Sequence, residues 1–190
     1  LIWREGKFNL SKRIIKMEFD LEKTISILSQ TPSTLAAMLN ELPDEWLLKN
    51  EGGDSWSPIN VISHLIHGEQ TDWIERVKVI LSDEKEKNFK TFDRAASIQS
   101  NGNKSIKELI AEFNSQRNQS LDYIKSLHLS DIDFLKTGIH PEFGEVTLKQ
   151  LLATWTVHDL GHIAQISRVM AKQYTHEVGP WINYLSILTR

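Results

Sequence analysis

Apolar positions repeat with a helical period in four stretches of this chain, and no stretch has the alternation, spacing and turn signals of a strand-based fold. In residues 19–42 the period is kept by Leu21, Ile25, Leu28, Leu35, Met38 and Leu39, and Thr31-Pro32-Ser33 interrupts or kinks it, giving one helix or two short ones. Residues 44–54, with Trp46 and Gly52-Gly53, read as a loop. Ser57 is a natural N-cap and Pro58 suits a first helical turn, so a second helix is expected over 58–81, its stripe made by Ile59, Ile62, Ile66, Trp73 and Val77. A charged, looser connection follows to Asn103. The pair Ser105 and Glu108 forms a capping box that opens a third helix to about Leu127. Residues 128–146, with Gly138, Pro141 and Gly144, read as a connection, and Thr147 with Gln150 opens a fourth helix that runs to Tyr174. Gly179-Pro180 begins a short final element with Trp181, Tyr184, Leu185 and Leu188 on one side. Four long helices joined by long connections predict an all-α four-helix bundle with a short C-terminal helix.

The fourth helix carries the chemistry. Leu151, Trp155, His158, His162, Gln165 and Val169 follow at steps of three and four, the stripe a bundle helix turns inward. Two inward imidazoles one turn apart are either core residues with hydrogen-bond partners or a pair of metal ligands. The second helix adds Asn60, His64, His67 and Thr71 on a polar line beside its apolar stripe. If the two helices pack antiparallel or cross, His64, His158 and His162 can converge. Neutral imidazoles suit Zn, Ni, Fe or Cu, and three protein nitrogens leave a coordination position open, as in catalytic sites. Asp159, about 100° around the helix from His158, is expected to orient a neighbour or cap a loop. Gln165 is expected to bond either a ligand histidine, a metal-bound water or a buried polar neighbour, and Trp155 is expected in the core.

Composition narrows the setting. The chain is 40% hydrophobic and 25% charged, enough for one ordinary domain with a real core, and its net charge of -3 gives no basic field for nucleic acid. No cysteine is present, so a thiolate site or Cys nucleophile is excluded and any sulfur chemistry needs an external thiol. That composition is compatible with a reducing, cytoplasmic location, and no apolar run is long enough to span a membrane. Residues 1–16 hold five Lys or Arg and one acid, whereas the remainder holds 17 basic and 24 acidic residues. With Met17 directly ahead of the first helical pattern, residues 1–16 are expected to be a peripheral basic extension and residues 17–190 the domain.

Trp56-Ser57-Pro58, then Ser63-His64-Leu65, then His158-Asp159-x-x-His162-x-x-Gln165 resemble the DinB-like (DinB and YfiT) superfamily. The run HPEFGEVTLKQLLATW and the VGPW at 178–181 are similar too. The resemblance implies a four-helix bundle, often dimeric, with a divalent metal on His64, His158 and His162, and it gives His67 no ligand role. Relatives often carry a glutamate one turn before the second-helix histidine; this chain has Asn60 there, which removes a carboxylate from that point. The family includes bacillithiol transferases, mycothiol-dependent maleylpyruvate isomerases and proteins named as metal-dependent hydrolases. The expected function is therefore activation of a small external thiol for transfer to an electrophilic small molecule, on Zn or Ni. Metal-dependent hydrolysis and a non-catalytic binding or stress-response module are the alternatives.

Other motifs point elsewhere and fail. HDLGH has the spacing of a metalloprotease helix, but with aspartate in place of glutamate and no downstream acidic ligand in a matching helix. There is no G-x-S-x-G elbow, and SNGNKS lacks the glycine-lysine pair of a P-loop.

Overall fold

The computed structural model describes residues 17–99 and 104–189; the basic segment 1–16 lies outside them. Its helices are α1 (Leu21–Leu39), α2 (Asp44–Leu48), α3 (Pro58–Thr71), α4 (Trp73–Leu81), α5 (Arg94–Gln99), α6 (Ile106–Ser126) and α7 (Leu148–Lys172). A small antiparallel hairpin, β1 (Thr137–His140) with β2 (Gly144–Thr147), precedes α7, and 3-10 turns at Gly179–Tyr184 and Ser186–Leu188 follow it. Mostly helical and built on a four-helix core, the chain has the expected fold.

The caps act where the side-chain chemistry predicted. Ser57, Ser105 and Thr147 each accept from the N3 amide, and the N3 side chains of Asn60, Glu108 and Gln150 return the bond. Around the core, α1 packs on α6, α6 on α3, α3 on α7 and α7 on α1. That ring places α1 across from α3, and α6 across from α7. Each of these sequence-adjacent pairs is therefore diagonal, which is why the links between them must be long. One apolar cluster centres on Trp73, Trp155, Leu28 and Leu121, and a second on Leu35, Ile62, Leu65 and Phe113.

Three local expectations are corrected, and one open alternative is settled. Residues 44–48 are helical, with Trp46 resting edge-on against Tyr174. The second helix is two: Asp72, at φ -122° and ψ -69°, breaks it, and the Trp73 indole then folds back over Gly68, where a Cβ would come within 3.2 Å of its nitrogen. Part of the 128–146 connection pairs as the hairpin, and Ile139 also exchanges backbone hydrogen bonds with Lys87 and Phe89 on the α4–α5 link. Lastly, α1 runs unbroken through Pro32. A proline there leaves the carbonyl of Leu28, four residues back, without its helical donor. Arg117 Nη1 fills the vacancy from α6, donating to Leu28 O at 2.8 Å.

Candidate metal centre

At the heart of the bundle Arg117 is fully buried and uses all five of its N–H donors. Nε and Nη2 donate to Glu69 Oε1 of α3 at 3.0 and 2.8 Å; Nη1 and Nη2 donate to Asp159 of α7 at 2.6 and 3.1 Å; the fifth bond goes to Leu28 O. Trp155 Nε1 also donates to Glu69 Oε1, at 3.1 Å. Burial raises the Glu69 carboxyl against the pull of Arg117. For Asp159 the balance is opposite: burial works to raise it, and His158 with Arg117 hold it below the ordinary value. This network fixes the rotation of α7 against α3. Asp159, next to His158 in sequence, thus points into the core and leaves His158 and His162 facing the groove between α7 and α3.

There His64 meets them. His158 Nε2 lies 3.0 Å from both His64 Nε2 and His162 Nε2, and one ligand nitrogen from each of the three falls within 4.8 Å of the others. Two nitrogens bound to one tetrahedral zinc at about 2.0–2.1 Å stand roughly 3.3 Å apart, close to the two separations from His158 Nε2. The protons argue for the same occupant. A neutral His158 Nε2 offers either one hydrogen or one lone pair, so it cannot serve both neighbours with a good hydrogen bond, whereas a cation lets all three present lone pairs. His162 Nδ1 is 2.8 Å from Gln165 Oε1, so that nitrogen donates and Nε2 carries the lone pair. Gln165 is therefore the partner of a ligand-type histidine, one of its expected roles.

Burial, followed by the nearby charges of His162 and His158, pushes His64 down to about 3; burial and then His158 push His162 down to about 4. Both are neutral at pH 7, the state that binds metal. His67 is not among the three; its ring packs edge-on to Phe92. Asn60 is spent on the cap, where its Oδ1 accepts from the Ser57 amide and hydroxyl.

The triad lies on the wall of a cleft of about 850 Å³. Trp56 is tilted over His64 and stacked parallel to His162, Trp73 stands edge-on to His158 with centroids 5.1 Å apart, and Phe92 is edge-on to His64. The break in the second helix brings Asp72 to the same cleft, ion-paired with Arg76 at 2.7 Å. Burial raises the Asp72 carboxyl despite Arg76, His158 and His67. Sequence reasoning found the three histidines. It missed Glu69 and Arg117, though each continues an apolar stripe, Ile62-Ile66-Glu69-Trp73 and Phe113-Arg117-Leu121, and a charge on such a stripe signals a buried pair. Asp72 carried no such signal because its position depends on the helix break.

The arrangement is that of a four-helix bundle with an inward histidine triad, open to a cleft, that could hold a metal ion. The DinB superfamily model matches residues 27–166, and the chain belongs to that superfamily. Among solved structures it is similar to YfiT from Bacillus subtilis, described as a probable metal-dependent hydrolase with an unusual four-helix bundle topology; the TM-score is 0.67 at 18% identity, over 93% of this chain and 94% of that one. No curated protein matches the chain.

Proposed function

We propose that the protein is a divalent-metal-dependent hydrolase of small molecules, with Zn or Ni held by His64, His158 and His162. The observation that carries this is the convergence of three imidazole nitrogens on a cleft that also holds a buried-side carboxylate, Asp72. When bound, a dication there supplies Lewis acidity, lowering the pKa of a nucleophile at the open position. Asp72 is suited to take that nucleophile's proton, since burial moves its carboxyl toward the working pH of a general base. Arg76 holds the Asp72 carboxylate in place, Gln165 fixes the ring of His162, and the indoles of Trp56 and Trp73 screen the histidines from bulk water.

A small external thiol, the nucleophile expected from sequence, would use the same three nitrogens. That expectation rested on the family resemblance, the open three-histidine site and a chain without cysteine, with Asn60 unable to serve as a base for water; Asp72 supplies a carboxylate from the other end of the helix, and water moves ahead of thiol. The test uses protein stripped and reloaded with Zn or Ni. One equivalent of metal is expected, falling to a small fraction in His158→Ala. Nitrophenyl ester and amide substrates are expected to turn over with metal alone. Turnover confined to a chlorinated aromatic in the presence of bacillithiol or glutathione would replace hydrolysis by thiol transfer. Retention of stoichiometric metal in His158→Ala would overturn the site.

A further inference from the structure

We propose that His140 is a substrate-contacting residue of the cleft, its imidazole held as a fixed Nε2–H donor that hydrogen-bonds the carbonyl oxygen of the substrate. This rests on the hydrolase reading above and adds to it the group that receives the reacting carbonyl on the hairpin side.

His140 ends β1, opposite Gly144 in the hairpin register, and its half-buried side chain lines the same cleft as His64, His158, His162 and Asp72. Two backbone amides settle its tautomer. Those of Glu142 and Phe143 donate to Nδ1 at 3.1 and 3.4 Å, so Nδ1 carries a lone pair and the ring hydrogen sits on Nε2. The same amides oppose a second proton, because an Nδ1–H would face two N–H groups and find no acceptor. Burial, and then the charge of Arg76, act in the same direction and hold the imidazole below its ordinary value. Among the described residues nothing accepts from His140 Nε2.

The ring is fixed on its hairpin from several sides. Phe143 stacks on it, with centroids 4.4 Å apart and planes 15° from parallel, and Phe89 meets it edge-on at 6.3 Å. One residue back, the Ile139 amide donates to Lys87 O at 2.7 Å and the Ile139 carbonyl accepts from the Phe89 amide at 2.9 Å. A donor oriented in advance needs no reorganisation to meet an oxygen on which charge develops. When the oxygen of the nucleophile bonds to the carbonyl carbon, the π pair of the C=O bond moves onto the carbonyl oxygen. The Nε2–H bond to that oxygen then strengthens while its hydrogen stays on Nε2, the way a neutral imidazole acts as an electrophile. The proton of the nucleophile goes to Asp72, as above.

Long-range proton–nitrogen NMR at pH 7.5, with His140 assigned by its absence from His140→Phe, reads the tautomer directly. Hydrogen on Nε2 is expected; hydrogen on Nδ1, or on both nitrogens, would overturn the proposal. Acetophenone and ethylbenzene, which differ by a carbonyl in place of a methylene, are then titrated by ligand-observed NMR into metal-free protein, where no cation can take the oxygen. His140→Phe keeps a ring to stack on Phe143 and removes the donor, so acetophenone should weaken about fivefold and ethylbenzene should be unchanged. His140→Gln, which places an amide N–H near the position of Nε2, should restore acetophenone to within about twofold of the parent. Circular dichroism confirms that both variants fold. Equal weakening of the two ligands in His140→Phe, or no weakening of acetophenone, would leave His140 a support of the hairpin and sink the idea. With metal reloaded and a nitrophenyl ester as substrate, His140→Phe should lower kcat about tenfold at unchanged metal content and nearly unchanged KM. A parent that hydrolyses no ester would count against the hydrolase proposal, while the tautomer and the acetophenone titration still decide this one.

Discussion

Replacing Arg117 by Met keeps the length and much of the volume of the side chain but removes its charge and all five donors. Glu69 and Asp159, both with side chains fully buried, then lose the cation between them, and Leu28 O loses its donor. Breaking a buried ion pair from one side costs about 3–5 kcal/mol, because the surviving charge stays buried without compensation. In a domain of this size that corresponds to a fall in Tm of roughly 6–20 °C. The loss has a pH signature. Without Arg117 both carboxyls titrate above their unfolded values, so the penalty is full at neutral pH and shrinks as pH falls through the range in which they protonate. Urea and thermal denaturation of parent and variant at pH 7.5 and pH 5 measure it. The gap should narrow at pH 5, and adding Glu69→Gln with Asp159→Asn to Arg117→Met should recover most of the stability. A variant melting within 2 °C of the parent at pH 7.5, or a gap that widens in acid, would refute the argument.

His67→Ala should keep one equivalent of metal, because its ring packs on Phe92 outside the triad; metal loss in a folded variant, measured by elemental analysis, would exchange the roles of His64 and His67. Metal-free protein should lose stability as pH falls from about 6.5 toward 3, since His64 and His162 are held down to about 3 and about 4 when folded and the unfolded chain takes up their protons first. The expected slope is about 1.4 kcal/mol per pH unit for each histidine, read from urea midpoints, and bound metal should shift the loss to lower pH. Gly138→Ala should destabilise by about 1–3 kcal/mol, because a Cβ there runs into the Phe89 ring and Ile80; thermal melting checks it, and an unchanged Tm would show that the hairpin moves aside freely.

The helices were legible because their signals are local: caps at Ser57, Ser105 and Thr147, and apolar spacing that the bundle buries. His64, His158 and His162 were legible because the HxxxH pair shares a helix face and a third histidine stands beside another stripe. What escaped depended on partners distant in sequence. A proline in the middle of α1 looks like a break until Arg117 arrives from α6 to take the carbonyl it frees. Asp72 looks like one more surface acid until the backbone turns there and the Trp73 ring folds over Gly68. His140 and Phe143 sit in a stretch without period, and only the hairpin register brings them to the cleft.

From its place on α6, Arg117 reaches Leu28 of α1, Glu69 of α3 and Asp159 of α7, so one guanidinium ties the four main helices into a single knot. No helix can swing away by itself without exposing or stranding a buried charge. Local opening of the kind that gives many proteins a graded series of exchange-competent segments is therefore suppressed, and the core amides of all four helices share one opening event. Breathing is confined to the elements outside the knot, the hairpin and the α4–α5 link among them. Those are the parts that border the cleft, so the mouth of the site can move while its histidines stay still.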